Sequence, residues 1–230
     1  MVQPIKRVAI TQRVVEDHGR CERRDVLDQA WTSLLADCGL EIHPIPNRIG
    51  NADAYLRACG IEAIVLSGGG NISSAWTTHS GATPNVLPEM NDLATERDSL
   101  ERQLLIASIE HGWPVIGVCR GMQFISLFYG GRLEQVKDHA GTRHAVERRE
   151  AGFPCDDRVN SFHNYGIPLD GLGDGLNVLA TAAGHVEAFV HRSFPHLGIM
   201  WHPERNKPWS ERDVALFRDF LVTGKRPWSK

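Results

Sequence analysis

The stretch Pro114-Val115-Ile116-Gly117-Val118-Cys119-Arg120-Gly121 narrows the folds open to this chain more than any other. Its first half is apolar without alternation, as in a strand covered on both faces, and such strands belong to parallel sheets with helices above and below. Its second half has the form Gly-x-Cys-x-Gly, and Gln123 to Phe128 then reads as a helix. A nucleophile in that setting, between strand and helix, is the nucleophile-elbow pattern. The flanking glycines have a steric reason, because in so sharp a turn side chains two residues either side would collide with neighbouring backbone. A cysteine at a helix start also sits in a field that favours its thiolate. A buried structural cysteine in a tight turn is the competing reading.

The rest of the chain repeats the alternation of short apolar runs and amphipathic stretches. Val8–Thr11, Ile42–Ile45 and Ala63–Leu66 read as strands, and Leu27, Trp31, Leu34, Leu35 and Cys38 predict one helix over 22–38. Thr95 with Asp98 predicts an N-cap and its acidic partner for a helix that ends at Gly112. His144–Arg148, Val178–Ala182, Val186–Val190 and Gly198–Trp201 form a strand-rich second half, before Ser210 and Asp213 open a last helix. Residues 72–93 read as a long polar loop able to reshape or gate a site, and the tail from Gly224 is expected to fray. This order predicts an α/β fold: a mainly parallel central sheet flanked by helices, with additional antiparallel strands. A chain of 230 residues fits one domain spanning 1–230.

Composition removes several function classes. The formal net charge is −3 with no Lys/Arg tract, so no nucleic-acid partner is expected. The basic cluster His144–Arg149 alternates with Glu147 and reads as a solvated strand edge. No run approaches the ~18 apolar residues of a membrane span, and the N-terminus lacks a signal-peptide core. Five scattered cysteines without a Cys-x-x-Cys pair suggest neither a disulfide framework nor a zinc site, and fit the cytoplasm. No metal and no cofactor are expected.

A thiol nucleophile needs a base, and the base an orienter. His202, in Gly198-Ile199-Met200-Trp201-His202-Pro203-Glu204, follows a strand and has Glu204 two residues on. Attack on an amide also needs backbone N–H groups for the oxyanion. One should come from Arg120, after the nucleophile, and one from the glycine-rich turn Ser67-Gly68-Gly69-Gly70-Asn71, which lacks the Lys-Ser/Thr ending of a phosphate-binding P-loop. Asn160-Ser161-Phe162-His163-Asn164-Tyr165-Gly166 reads as a substrate loop with His163 as second choice of base; His185 and His191 read as surface residues.

Together these pieces resemble the class I glutamine amidotransferase superfamily, a flavodoxin-like fold, through Leu66-Ser67-Gly68-Gly69, Gly117-Val118-Cys119-Arg120-Gly121-Met122-Gln123 and Trp201-His202-Pro203-Glu204. The resemblance implies a triad of Cys119, His202 and Glu204, oxyanion N–H groups on Gly69 and Arg120, and Gln123 on the glutamyl moiety. Cys119-Arg120-Gly121 with Glu96-Arg97-Asp98 is similar to the γ-glutamyl hydrolase branch, peptidase family C26. Ile10-Thr11-Gln12-Arg13, Glu22-Arg23-Arg24-Asp25, Ser161–Tyr165 and Gly198–Arg205 look like the bacterial γ-glutamyl-CDP-amidate hydrolases, which implies release of glutamate and cytidine diphosphoramidate for surface polysaccharide. Asn71, Arg97, Ser161, Phe162, His163, Asn164 and Tyr165 are the expected substrate contacts, Arg97 only if it faces the cleft. The expected partner is a small γ-glutamyl molecule. A homodimer, a synthetase partner as for a glutaminase subunit, hydrolysis of γ-glutamyl-γ-aminobutyrate, and a non-catalytic binding protein stay open as alternatives.

Overall fold

The computed structural model describes residues 6–73, 93–137, 139–226 and 228. Most of the expected polar loop, residues 74–92, lies outside them; its ends are joined by a parallel bridge between Asn71 and Leu93.

The first half builds the parallel sheet: β1 (Lys6–Thr11), a hairpin of β2 (Arg13–Asp17) and β3 (Glu22–Val26), α1 (Gln29–Asp37), β4 (Leu40–Ile45), α2 (Ala52–Ala58), β5 (Ala63–Leu66), α3 (Thr95–His111), β6 (Val115–Val118) and α4 (Arg120–Phe128). The second half adds β7 (Glu134–Gln135), β8 (Thr142–Ala145), β9 (Glu147–Arg148), β10 (Arg158–Ser161), β11 (Tyr165–Pro168), β12 (Leu176–Ala182), β13 (His185–His191), β14 (His196–Ile199) and α5 (Glu211–Thr223). β4-β1-β5-β6-β14 are parallel neighbours, and β13 continues the sheet antiparallel, carrying β11 and β12. This is the expected mixed sheet. β5 and β6 are buried at every residue, as two-sided helix cover requires. α1 and α5 pack together, with the Trp31 and Phe217 rings 6.1 Å apart. α2 and α3 pack on each other, as do α3 and α4; right-handed crossovers put them on the opposite face from α1. The strand order reverses beside β1, so the crevice lies at the C-terminal ends of β1, β5, β6 and β14.

The structure divides the helix expected over 22–38. Glu22–Val26 pairs with β2 instead, because Asp25 accepts hydrogen bonds from the Asn47 backbone and side chain at 2.9 and 2.7 Å and pulls the hairpin to the end of β4. Asp28 then caps α1 by accepting from the Ala30 N–H. The α3 start also differs: Ala94 is the cap residue, and Asp98 turns inward to the Ser73 N–H and to Arg120. α4 begins at Arg120, directly after Cys119, rather than at Gln123. The strand expected over His144–Arg148 is broken in two, since β8 pairs with β10 and β9 with β12. α2, capped by Asn51, escapes a sequence reading because it has only two buried positions. The tail does not simply fray: Trp228 donates to Glu150 at 2.9 Å and stacks on Phe220. Among the described residues no helix is long and apolar enough to cross a membrane.

Asp213, on the first turn of α5, is buried and accepts the Trp201 indole N–H at 3.0 Å. Burial raises its pKa to about 7, against the opposing pull of that hydrogen bond. A raised carboxyl favours the fold below its unfolded value of 3.8 and loses that contribution as pH rises through about 7. Asp213→Asn keeps the acceptor without the charge. It should raise the thermal midpoint at pH ~8 by about 2–4 °C, with the gain gone below pH ~4, as read by thermal unfolding across pH.

Candidate active site

Cys119 lies between β6 and α4 with φ 51° and ψ −104°, the left-handed side of the map that a non-glycine residue rarely occupies. The turn is held from two sides: the Cys119 N–H donates to Ile199 O on β14 at 2.8 Å, and its carbonyl accepts from the Gln123 N–H at 3.0 Å. Both flanking glycines are sterically required. A Cβ on Gly121 would lie 2.1 Å from the Leu66 carbonyl oxygen, and one on Gly117 would lie 2.6 Å from the backbone of Gly121. The thiol opens on a cleft of about 230 Å³.

The same cleft is lined by His202, at the end of β14, and by Gly69 and Arg120. His202 is buried beside Cys119, and its Nδ1 donates to Glu204 Oε1 at 2.6 Å; a carboxylate can only accept there. Asn160, just outside the expected substrate contacts, clamps the backbone: its Oδ1 accepts the His202 N–H and its Nδ2 donates to the His202 carbonyl, both at 2.8 Å. Phe162 stands edge-on to the imidazole at 5.7 Å and has the Arg205 guanidinium over its face at 4.3 Å. Burial opposes charge on His202, but the neighbouring Cys119 and the hydrogen-bonded Glu204 together outweigh it, raising the pKa to about 9. Gly68 has its own reason, since a Cβ there would sit 2.5 Å from the His202 ring.

The other expected contacts divide. Asn71, Gln123, Phe162, His163, Asn164 and Tyr165 all line the cleft. Gln123 also braces it, donating from Nε2 to the Tyr165 carbonyl at 2.8 Å. Ser161 does not reach the cleft; it is fully buried in the β10–β8 pair. Arg97 does not face the cleft either. It is 1% exposed and donates to the carbonyls of Ser67, Gly68 and Gly69 at 2.5, 3.4 and 2.7 Å, and to Glu101 at 2.8 Å. Arg120 pairs through its side chain with Asp98 and Glu101, so two guanidiniums and two carboxylates share one buried cluster under the glycine-rich turn. Burial, together with the neighbouring Arg120 charge, pulls Arg97 down to about 10. Its helical position between acidic neighbours suggests a solvated charge, and only the tertiary packing reveals the cluster. His191, expected at the surface, is buried, and its Nδ1 accepts the N–H groups of Ser193 and Phe194.

Arg13, following β1, and Arg205 also line the cleft, two cations to which the sequence pattern assigns no individual role. Arg13 closes the β1 motif Ile10–Arg13, and that motif is the signal by which it could be found.

The Peptidase C26 family model matches residues 11–204. The γ-glutamyl-CDP-amidate hydrolase of Campylobacter jejuni is 32% identical, over 86% of this chain and 90% of that protein. A glutamine-hydrolysing GMP synthase subunit of Thermoplasma volcanium is 26% identical, over 91% of this chain and 89% of its own. The structure of the Trypanosoma brucei CTPS glutaminase domain with bound acivicin superposes with a TM-score of 0.64 at 13% identity, over 97% and 96% of the two chains, a likeness of fold.

The buried cluster yields a test of its own. Glu101→Ala leaves Arg97 and Arg120 with one carboxylate between them. It should cost about 3–5 kcal/mol, the loss expected when one partner of a buried ion pair is removed, read from urea unfolding curves.

Proposed function

This chain belongs to the Peptidase C26 family and is a glutamine amidotransferase-like hydrolase of C–N amide bonds, and we propose that its substrate is a γ-glutamyl amide with an anionic leaving group, γ-glutamyl-CDP-amidate. The observation that carries this reading is the cleft itself, where Cys119 and a buried His202–Glu204 pair meet Arg13 and Arg205. Guanidiniums at the mouth match a diphosphate, and the 32% identical relative bears that substrate in its name.

In the proposed reaction the Cys119 Sγ attacks the γ-carbonyl carbon. The oxyanion is held by the N–H groups of Arg120 and Gly69. Arg97 supports the second donor: a planar trans peptide points its N–H opposite to its C=O, so the Gly68 carbonyl bound to Arg97 turns the Gly69 N–H the other way. His202, oriented by Glu204, gives its proton to the leaving nitrogen as the C–N bond breaks, leaving a glutamyl thioester. It then takes a proton from water, whose oxygen displaces the thiolate and releases glutamate. Gln123, Asn71, Phe162, Asn164 and Tyr165 are proposed to hold the glutamyl end, with His163 bracing that wall through its Nδ1 bond to the Tyr165 carbonyl. The product side would be cytidine diphosphoramidate for decorating surface polysaccharide. All five cysteines are free, which fits the cytoplasm. A second reading, a glutaminase serving a separate synthetase, is favoured by the GMP synthase relatives from two Thermoplasma species.

Glutamate release should be compared across γ-glutamyl-CDP-amidate, γ-glutamyl-γ-aminobutyrate and glutamine. The first should lead by at least ~100-fold in kcat/KM, since a site built for polar groups rejects analogues that lack them. Equal, poor rates on all three would sink the substrate assignment, and glutaminase activity that appears only with a synthetase would favour the second reading. Cys119→Ala should lower kcat at least ~1000-fold with folding intact.

The raised His202 pKa fixes the alkaline side of the rate profile. The imidazolium is complete below 6.5 and is lost as pH rises through about 9, so kcat/KM should fall there. Glu204→Gln removes one of the groups raising it and should move that limb to lower pH. A limb unmoved in Glu204→Gln would contradict the proposed orienting role.

A further inference from the structure

Beside the catalytic cleft, three side chains converge from distant parts of the chain. His139 follows β7, His163 lies between β10 and β11, and Glu187 is on β13; one donor atom of each lies within 4.8 Å of the other two. His163 and Glu187 are 4% and 1% exposed. His163 Nε2 and both Glu187 carboxylate oxygens are buried without a hydrogen-bond partner. His163 Nε2 is 3.9 Å from Oε1, and His144 Nε2 approaches Oε2 at 3.2 Å but is misaligned for a hydrogen bond. Among the described residues no Lys or Arg forms a salt bridge with Glu187. A carboxylate so placed is costly unless a cation joins it.

The tautomer of His163 sharpens the point. Its Nδ1 lies 3.0 Å from the Tyr165 carbonyl, which can only accept, so Nδ1 carries the proton. In the neutral ring Nε2 then aims a lone pair at a carboxylate, two acceptors facing one another. A ring nitrogen bonded to a backbone carbonyl, with the other nitrogen turned to a shared point, is the arrangement of metal-binding histidines. The His139 ring stands 5.0 Å from that of His163 and 5.2 Å from that of His144.

We propose that His139, His163 and Glu187 bind one divalent transition-metal ion, Zn²⁺ being the best match to imidazole and carboxylate donors, with His144 as the fourth donor. The donors, spread over up to 4.8 Å, would draw in to the ~3.3 Å separations that tetrahedral Zn–N bonds of about 2.0–2.1 Å impose. Four protein donors would close the coordination sphere, making the site structural. The ion would fasten β13 to the turn before β11, and so fix the Tyr165 carbonyl that receives Gln123 in the cleft wall. The sequence carries only half of the site: His139 and His144 stand in a His-x4-His spacing that zinc sites use, but His163 and Glu187 lie far along the chain and join them only in the fold.

Zinc binding is measured on Cys119→Ala protein, so that the catalytic thiol cannot supply a ligand. Metal-stripped protein is titrated with Zn²⁺ against a competing chelator, and its metal content is read by mass spectrometry. One zinc per chain is expected, with a thermal midpoint that rises on zinc addition and returns with EDTA. Glu187→Gln and His139→Ala, each added to Cys119→Ala, should weaken binding at least ~10-fold. His139 is half-buried, and circular dichroism of that variant separates a lost ligand from a lost fold. Absence of zinc binding by the folded Cys119→Ala protein, or unchanged affinity in both added variants, would overturn the proposal.

Discussion

The buried cluster of Arg97, Glu101, Arg120 and Asp98 is the constraint on which the rest of the site depends. Four charges taken out of water are expensive, and only mutual compensation with full hydrogen bonding makes them tolerable. Here the compensation is complete in sign, two guanidiniums against two carboxylates. Thr11 also donates to Glu101 at 2.9 Å, and Ser73 N–H donates to Asp98. The cluster therefore joins the ends of β1 and β5 to α3 and α4, the elements that meet at the cleft. Its strongest consequence is the orientation of the glycine-rich turn, whose three successive carbonyls are all claimed by Arg97.

The turn at Cys119 rests on that base. A non-glycine residue at φ 51° stores on the order of 1–3 kcal/mol of strain. It persists because β14 holds the Cys119 N–H while α4 packs so closely on β5 that Gly121 has no room for a methyl group. Strain, close packing and the ion cluster are thus one arrangement: moving α4 away to relieve Cys119 would break the Arg120 pairs.

His202 is positioned by a second network, contributed by β10 with the residue after it and by the turn that follows β14. Asn160 fixes its backbone, Glu204 its ring tautomer, and Phe162 one ring edge. His163, next in the chain, turns the other way toward Glu187 on β13, whose backbone carbonyl accepts the Met200 N–H just ahead of His202. The wall of the cleft and the histidine–carboxylate cluster behind it therefore share their backbone.

The sequence by itself determined the glycine-flanked turn at Cys119, the pairing of His202 with Glu204, and the parallel core, because each rests on local chemistry: a glycine-flanked cysteine after an apolar run, a histidine two residues from a glutamate, strands apolar on both faces. It also carried the family, now supported by a match over residues 11–204. Tertiary structure decided what becomes of charged and polar residues. Asp98 has the spacing of a capping partner, yet Arg120, from another helix, draws it inward. Glu22–Val26 can be read as helix or strand until Asn47 holds Asp25. Arg97 holds the glycine-rich turn from beneath, and His139, His163 and Glu187 come together only when the antiparallel strands pair. Local pattern records which residues prefer burial; for a charge or an imidazole, burial is set by a partner distant in sequence, and only the fold brings that partner near.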